Sequence, residues 1–332
     1  MKKLLSLLLF IILPINTAIA AETPNVVVSI KPIHSLVSAV MEGVATPDLI
    51  IKKGSPHGYT LRPSEAKVLE NADLVVWVGH DLESFLEKPL NTLAKQSQKL
   101  TLSETLQSSL LTKREGGEWA KHSHGDHKEA SHDDHAAHES HDHEEADHDD
   151  HAAHESHDHE EASMDFHIWL SPTMAKKITI ETTKALVKLD PAHAAQYQSN
   201  SEKLLTKLVA LDSTLKTKLA PVKDKPYIVF HAAYQYFEND YDLNAVGSVT
   251  IDPERKSGAK GISEIRNKVA RLGVACVFSE PQFESSLVQT IIEGTDAKTG
   301  TLDPLGSSIP AGPDAYFVLM NNLANDLVLG LQ

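Results

Sequence analysis

Four residues with metal-ligating side chains stand in turn-rich stretches far apart in the chain. His57 lies in Lys53-Gly-Ser-Pro-His-Gly-Tyr59, after a short apolar run. His167 lies in Asp165-Phe-His-Ile-Trp-Leu-Ser-Pro172, ahead of a helical pattern. His231 follows Tyr227-Ile-Val-Phe230, and Asp303 sits in Thr301-Leu-Asp-Pro-Leu-Gly306. Each falls at a strand end or a helix start, the place where open α/β sheets hold their ligands. The gaps of 110, 64 and 72 residues carry little information by themselves, unlike a CxxC pair. Taken singly, each of these histidines is more often structural than a ligand.

A second feature raises the weight of that set. The 42 residues from Lys121 to Ala162 hold 13 of the chain's 19 histidines and 15 of its 46 acidic residues. The unit HDDHAAHESHDHEEA begins at His132 and again at His148. Short His-rich tracts are read as metal-binding, and this one has no Ile, Leu, Val or Phe with which to build a core. It reads as a disordered loop that gathers metal ions, where a plain linker would favour Gly, Ser, Pro, Glu and Lys.

The formal net charge is −15. Fifteen acids against Lys121 and Lys128 leave the tract at −13 and the rest of the chain at −2. The charge therefore belongs to the tract. It argues against nucleic acid as a partner and for cations.

Met1 to Ala21 reads as a secretory signal: Lys2 and Lys3, an apolar run from Leu4 to Leu13, and Ala18-Ile-Ala20 before a cleavage point near Ala20/Ala21. No later run approaches the roughly 20 apolar residues a spanning helix needs. No cysteine follows the signal to take a lipid anchor, so the expected location is a periplasm. Cys276 is the single cysteine, so no intramolecular disulfide forms. Its setting, Val274-Ala-Cys-Val-Phe278, reads as a buried strand.

The elements that must position these residues are short apolar runs alternating with helical patterns. Strands are expected at Val26–Ile30, Leu49–Ile51, Leu74–Val78 and Lys99–Leu102. After the tract they are expected at Tyr227–Phe230, Asn244–Val246, Val274–Phe278 and near Ala315–Leu319. Such alternation implies two α/β lobes with parallel-rich sheets. Between the two sets, Pro172 starts a helix reaching about Leu189, and Asp190 with Pro191 is expected to start another. Leu204, Leu208, Leu211, Leu215 and Leu219 mark one face of the latter. About 28 residues of helix would extend about 42 Å, either as a stiff connection between lobes or as an ordinary surface helix. The organisation is then signal 1–21, N-terminal lobe 22–189 with the loop 121–162 inside it, linker helix 190–220, and C-terminal lobe 221–332.

GSPHGYTLRPSEAKVLENADLVVWVG, MDFHIWLSP, IVFHAAYQYF, SEPQF and TLDPLG together resemble the metal-binding solute-binding proteins of ABC importers, those for zinc in particular. The resemblance covers essentially the whole mature chain. It implies two pseudo-symmetric lobes joined by one long helix, with Zn2+ held as transported cargo in the cleft between them. It carries over His57, His167 and His231 as ligands, and Asp303 matches the carboxylate many relatives use. Where some zinc relatives place an acid beside the first histidine, this chain has Pro56, so Asp303, a water or a tract residue is left as the fourth ligand. Three imidazoles suit Zn2+ better than Mn2+. Glu280 is implied as a residue that orients a histidine. Cys276 lacks the disulfide partner some relatives have, so the C-terminal helix must hold by packing. The implied partner is an inner-membrane ABC permease, and the protein is expected to act as a monomer.

A zinc hydrolase is the alternative among enzymes, since catalytic zinc also keeps an open position. HExxH, GxSxG and a P-loop are all absent, and His138-Glu-Ser-His141 is one residue short of the first. A zinc buffer or adhesin without a permease is a third reading. His34, His80 and His193 are read as structural or solvated.

Overall fold

The computed structural model describes residues 23–114, 119, 163–250, 258–283 and 286–332. The expected signal segment and the His-rich tract lie outside the described residues.

Two four-stranded sheets form the frame. The first contains β1 (Val26–Ile30), β2 (Asp48–Ile51), β3 (Leu74–Trp77) and β4 (Gln98–Thr101) in the order β2-β1-β3-β4. The second contains β7 (Tyr227–His231), β8 (Ala245–Thr250), β9 (Cys276–Ser279) and β10 (Lys298–Thr301) in the order β10-β9-β7-β8. Every pairing in both sheets is parallel, with Val28 opposite Leu49, Val27 opposite Val75, and Ile228 opposite Val277. Each sheet places its second strand outside its first and runs third then fourth on the other side. The two lobes are thus wound alike, as pseudo-symmetry requires.

The central strands VVVSI, LVVW and YIVFH are buried along their whole length, as parallel strands covered on both faces must be. Side-chain alternation divides β7: Tyr227 and Val229 join a core that extends through the first lobe, while Ile228 and Phe230 face a smaller cluster with Val249, Val269, Val277 and Ile291.

Helix α1 (Lys31–Val40) leaves β1 directly, with Pro32 in its first turn. Between the sheets lie α5 (Pro172–Leu189) and α6 (Ala194–Leu219). Ser171 caps α5 by accepting the Met174 amide at 3.1 Å, with Pro172 at the first helical position. α6 buries Tyr197, Ser201, Leu204, Leu208, Leu211, Leu215 and Leu219 along one stripe. Its 26 residues extend about 39 Å. Asp190 does not cap that helix by its side chain. Its carboxylate accepts instead from His193 Nδ1 and the Tyr197 hydroxyl, both at 2.7 Å, across a 3-10 turn at Pro191–His193.

The strand expected near Ala315–Leu319 is the start of helix α10 (Ala315–Leu331). Tyr316, Leu319, Met320, Leu323, Leu327 and Leu331 recur at helical spacing, and they pack α10 on α6 and α1. The fourth strand of the second sheet is β10. Its sequence, KTGT, has no apolar signal because it lies at an edge and faces solvent. Gly300 within it meets the Phe278 ring so closely that a Cβ there would lie 2.5 Å from it.

Candidate metal centre

Three loops from different parts of the chain deliver the three histidines. After β2, Gly54 turns with φ +101°, and Ser55 Oγ accepts the His57 amide at 3.2 Å. His167 follows an antiparallel ribbon made of β5 (Leu111–Thr112) and β6 (Met164–Asp165). That ribbon is fastened to helix α7 (Gln235–Tyr241) of the second lobe. The Tyr236 hydroxyl accepts the Leu111 amide at 3.0 Å and donates to the Asp165 carbonyl at 2.7 Å, and Arg114 pairs with buried Glu238 at 2.5 Å. His231 is the last residue of β7, beside the point where strand order reverses between β7 and β9.

Carboxylates set the tautomers of two rings. Asp165 Oδ1 accepts from the His167 amide at 2.9 Å and from its Nδ1 at 2.8 Å. Glu280 Oε1, just past β9, accepts from His231 Nδ1 at 2.7 Å and from the Tyr234 hydroxyl at 3.2 Å. An ionised carboxylate can only accept, so each Nδ1 carries the proton and each Nε2 keeps its lone pair. Those nitrogens converge. His57 Nε2 lies 3.3 Å and His231 Nε2 3.4 Å from His167 Nε2. The three ring centroids are 5.2 to 5.6 Å apart.

Two of the rings, His57 and His167, are held in the ligand form. Burial, with His167, His231 and Lys113 adding to it, pushes the His57 pKa down to about 2. Burial also lowers the pKa of His167, against the upward pull of Asp165. Neutral imidazoles offer lone pairs without first losing a proton. The rings and Pro56, Trp169, Phe283, Pro304 and Leu305 enclose a space of about 10 Å³. That holds one water-sized particle. Glu280 Oε2 and Gln282 Oε1, from residues in the same lining, are buried acceptors without a hydrogen-bond donor among the described residues. A single divalent cation suits this donor set.

Asp303 is placed differently from the histidines. Among the described residues, the cluster of ligand atoms within 4.8 Å of one another contains His57, His167 and His231 and does not include Asp303. Its Oδ1 accepts from Gln282 Nε2 at 2.8 Å and from the amides of Leu305 and Gly306 at 3.1 and 3.0 Å. Its Oδ2 accepts from the amide and the hydroxyl of Ser307, both at 2.6 Å. The carboxylate folds its own loop.

His34 is buried in α1 and bonds to the Pro47 carbonyl at 2.9 Å. His80 is exposed beside Glu87, and His193 is taken up by Asp190. Cys276 is buried, and its thiol pKa is pushed up to about 12 by desolvation. Sequence reasoning gave Asp165 no role, although Asp two residues before His is the spacing at which a carboxylate reaches back to the following backbone. Trp169 had no local signal. Its indole donates to the Pro304 carbonyl at 2.7 Å, a contact between residues 135 apart.

The chain matches the family model described as "Zinc-uptake complex component A periplasmic" over residues 26–330. It is 46% identical over 313 residues to the high-affinity zinc uptake system protein ZnuA of Brucella abortus, covering 94% of this chain and 93% of that protein. Its fold is similar to that of a laminin-binding adhesin, Lmb, from Streptococcus agalactiae (TM-score 0.71, 20% identity, 93% and 100% covered). It is also similar to that of a solved ZnuA (TM-score 0.70, 20% identity, 94% and 100% covered).

Proposed function

The chain belongs to the family of periplasmic zinc-uptake components, and from that premise we propose that it captures Zn2+ in the periplasm and hands it to an ABC permease of the inner membrane. One observation carries the assignment of the site. The Nε2 atoms stand 3.3 and 3.4 Å apart, and a tetrahedral zinc with Zn–N of about 2.05 Å separates its ligand nitrogens by about 3.3 Å. His57, His167 and His231 are the three protein ligands in this reading. The fourth position is left to water or a tract residue in this reading, because five hydrogen bonds already occupy the Asp303 carboxylate.

The protein binds its cargo without turning it over. The space of about 10 Å³ between the rings suits a single ion better than an organic substrate. No helix among the described residues is long and apolar enough to cross a membrane. Export would follow from the Met1–Ala21 signal, cleaved near Ala20/Ala21, and the mass of the exported chain tests that cleavage point. We read residues 22–189 and 221–332 as the two lobes, with 190–220 joining them in a monomer. The tract 121–162 is a weak collector beside the tight site.

Calorimetric titration of the metal-free full chain tests the proposal. It should show one tight Zn2+ and several weak ones, with Mn2+ bound far less tightly. His231→Ala should abolish the tight event and leave the weak ones. Retention of the tight event in that variant would refute the ligand set.

A further inference from the structure

Lys31 is the first residue of α1, immediately past β1, and it is only 8% exposed. Among the described residues its ammonium forms no ion pair, and the Asp303 charge acts on it only at longer range. It donates to the carbonyls of Gly306 at 2.6 Å, Ile309 at 2.8 Å and Ser307 at 3.1 Å, which uses all three of its protons. These acceptors lie more than 270 residues away, in the other lobe. Burying an ammonium is costly unless every donor is satisfied, and charge-assisted bonds to carbonyls are the strong kind.

The segment it grips is the one Asp303 folds. The amides of Leu305, Gly306 and Ser307 point to the Asp303 carboxylate, while the carbonyls of Gly306, Ser307 and Ile309 point to the Lys31 ammonium. The peptide dipoles of this turn are therefore aligned between an anion and a cation. Gly306 adopts φ +63°, and a Cβ there would sit 2.9 Å from Ile309 Cδ1. At its other end the turn is held by the Trp169 indole on Pro304, and Pro304 and Leu305 form one wall of the metal cavity. The Trp169 ring in turn stands 5.3 Å from the His167 ring. Lys31 thus reaches the cavity through a loop it does not share a lobe with.

We propose that Lys31 is a positioning residue that clasps the 303–309 turn of the second lobe over the metal cavity and thereby sets how fast the cleft releases its ion. This rests on the reading of the cleft as a Zn2+ site. The clasp touches no ligand atom, so it governs opening of the wall rather than the donor set. Ser35, about one turn beyond Lys31 on α1 and a little further along the interlobe contact, is the natural comparison. It accepts the Tyr316 amide at 2.9 Å and donates to the Pro313 carbonyl at 3.0 Å, holding the start of α10 and not the turn.

The test is rapid mixing of the Zn2+-loaded full chain with excess chelator, following the slow release phase that His231→Ala removes. Loss of three charge-assisted bonds in Lys31→Met should accelerate that phase about 10-fold or more. The number of tight ions should be unchanged. Lys31→Arg keeps the charge, but its planar fork cannot converge three donors, so it should fall between wild type and Lys31→Met. Ser35→Ala should stay within about twofold of wild type, since it leaves the turn's charged bonds intact. Amide exchange should quicken in residues 304–309 in the Lys31 variants and not in Ser35→Ala. Should Lys31→Met fail to fold, Lys31→Arg carries the same measurement. Wild-type release rates in the Lys31 variants, or equal acceleration by Ser35→Ala, would overturn the clasp while leaving the zinc site standing. A wild-type chain with no His231-dependent phase would instead sink the zinc reading, and the clasp with it.

Discussion

The two sheets have the same winding, yet their switch points do opposite things. In the second lobe, β7 ends in His231 and the residue after β9 is Glu280, which orients that ring toward an open cavity. In the first lobe, Lys31 follows β1, and Glu83, beyond the end of β3, turns inward to accept the amides of Val78 and Gly79 at 2.7 and 3.0 Å. One crevice is left for an ion, and the other is filled by the 303–309 turn. The side chain at the first strand's end accounts for the difference. An imidazole held by a carboxylate presents a lone pair, whereas an ammonium has donors only and can recognise nothing but acceptors. A fold position known for binding ligands therefore binds whichever partner its chemistry permits.

The largest test of this contrast removes a ring. His167→Ala or His231→Ala should weaken the tight site by more than about 100-fold, above what loss of an orienting group costs. Competition titration reads this, and a loss below tenfold would mean the ring is not a ligand. Next come the carboxylates behind the rings. Glu280→Gln and Asp165→Asn keep shape but lose charge, and each should cost about 10- to 100-fold in zinc affinity. If Glu83→Gln costs as much, the two switch points are not functionally distinct. Smaller again is Gly306→Ala, which forces a Cβ against Ile309 at a left-handed φ. A destabilisation of about 1–2 kcal/mol is expected, read as a lower melting temperature.

The smallest effect separates the metal centre from the first lobe's switch point by pH. His57 has its pKa depressed from 6.5 to about 2, so the folded metal-free chain binds fewer protons than the unfolded chain in that window. This group therefore withdraws stability as pH falls from 6.5 toward 2. Glu83 is the reverse: burial raises its pKa from 4.5 to about 7, so it withdraws stability as pH rises from 4.5 to 7. Relative to wild type, His57→Gln should gain more in melting temperature at pH 5 than at pH 7.5, and Glu83→Gln should gain more at pH 7.5 than at pH 5. Shifts of the same sign would contradict the assigned environments.

The central strands and α5 were legible because their signals are local. Continuous runs such as VVVSI and LVVW, Pro172 after a capping serine, and leucines at helical spacing each need only their neighbours. β10 was missed because an exposed edge strand needs no apolar residues. Ala315–Leu319 was misread because the first turn of a buried helix is as apolar as a strand. Asp303 was found in the right loop, but its partners are amides, and a sequence does not show which donors surround a carboxylate.

What the sequence determined alone was most of the inventory: the central strands and the long helices, that three histidines and one aspartate sit near element ends, and that nearly all of the net charge belongs to one tract. Only the tertiary structure decided that imidazoles 110 and 64 residues apart bring their Nε2 atoms to 3.3 and 3.4 Å, that Asp303 bonds to the amides of its own loop, and that Lys31 grips that loop from the other lobe. The physical reason is range. Secondary structure follows from steric and hydrogen-bonding preferences over a few residues, whereas convergence of side chains depends on how two independently wound sheets and the helices between them pack, which no local pattern encodes.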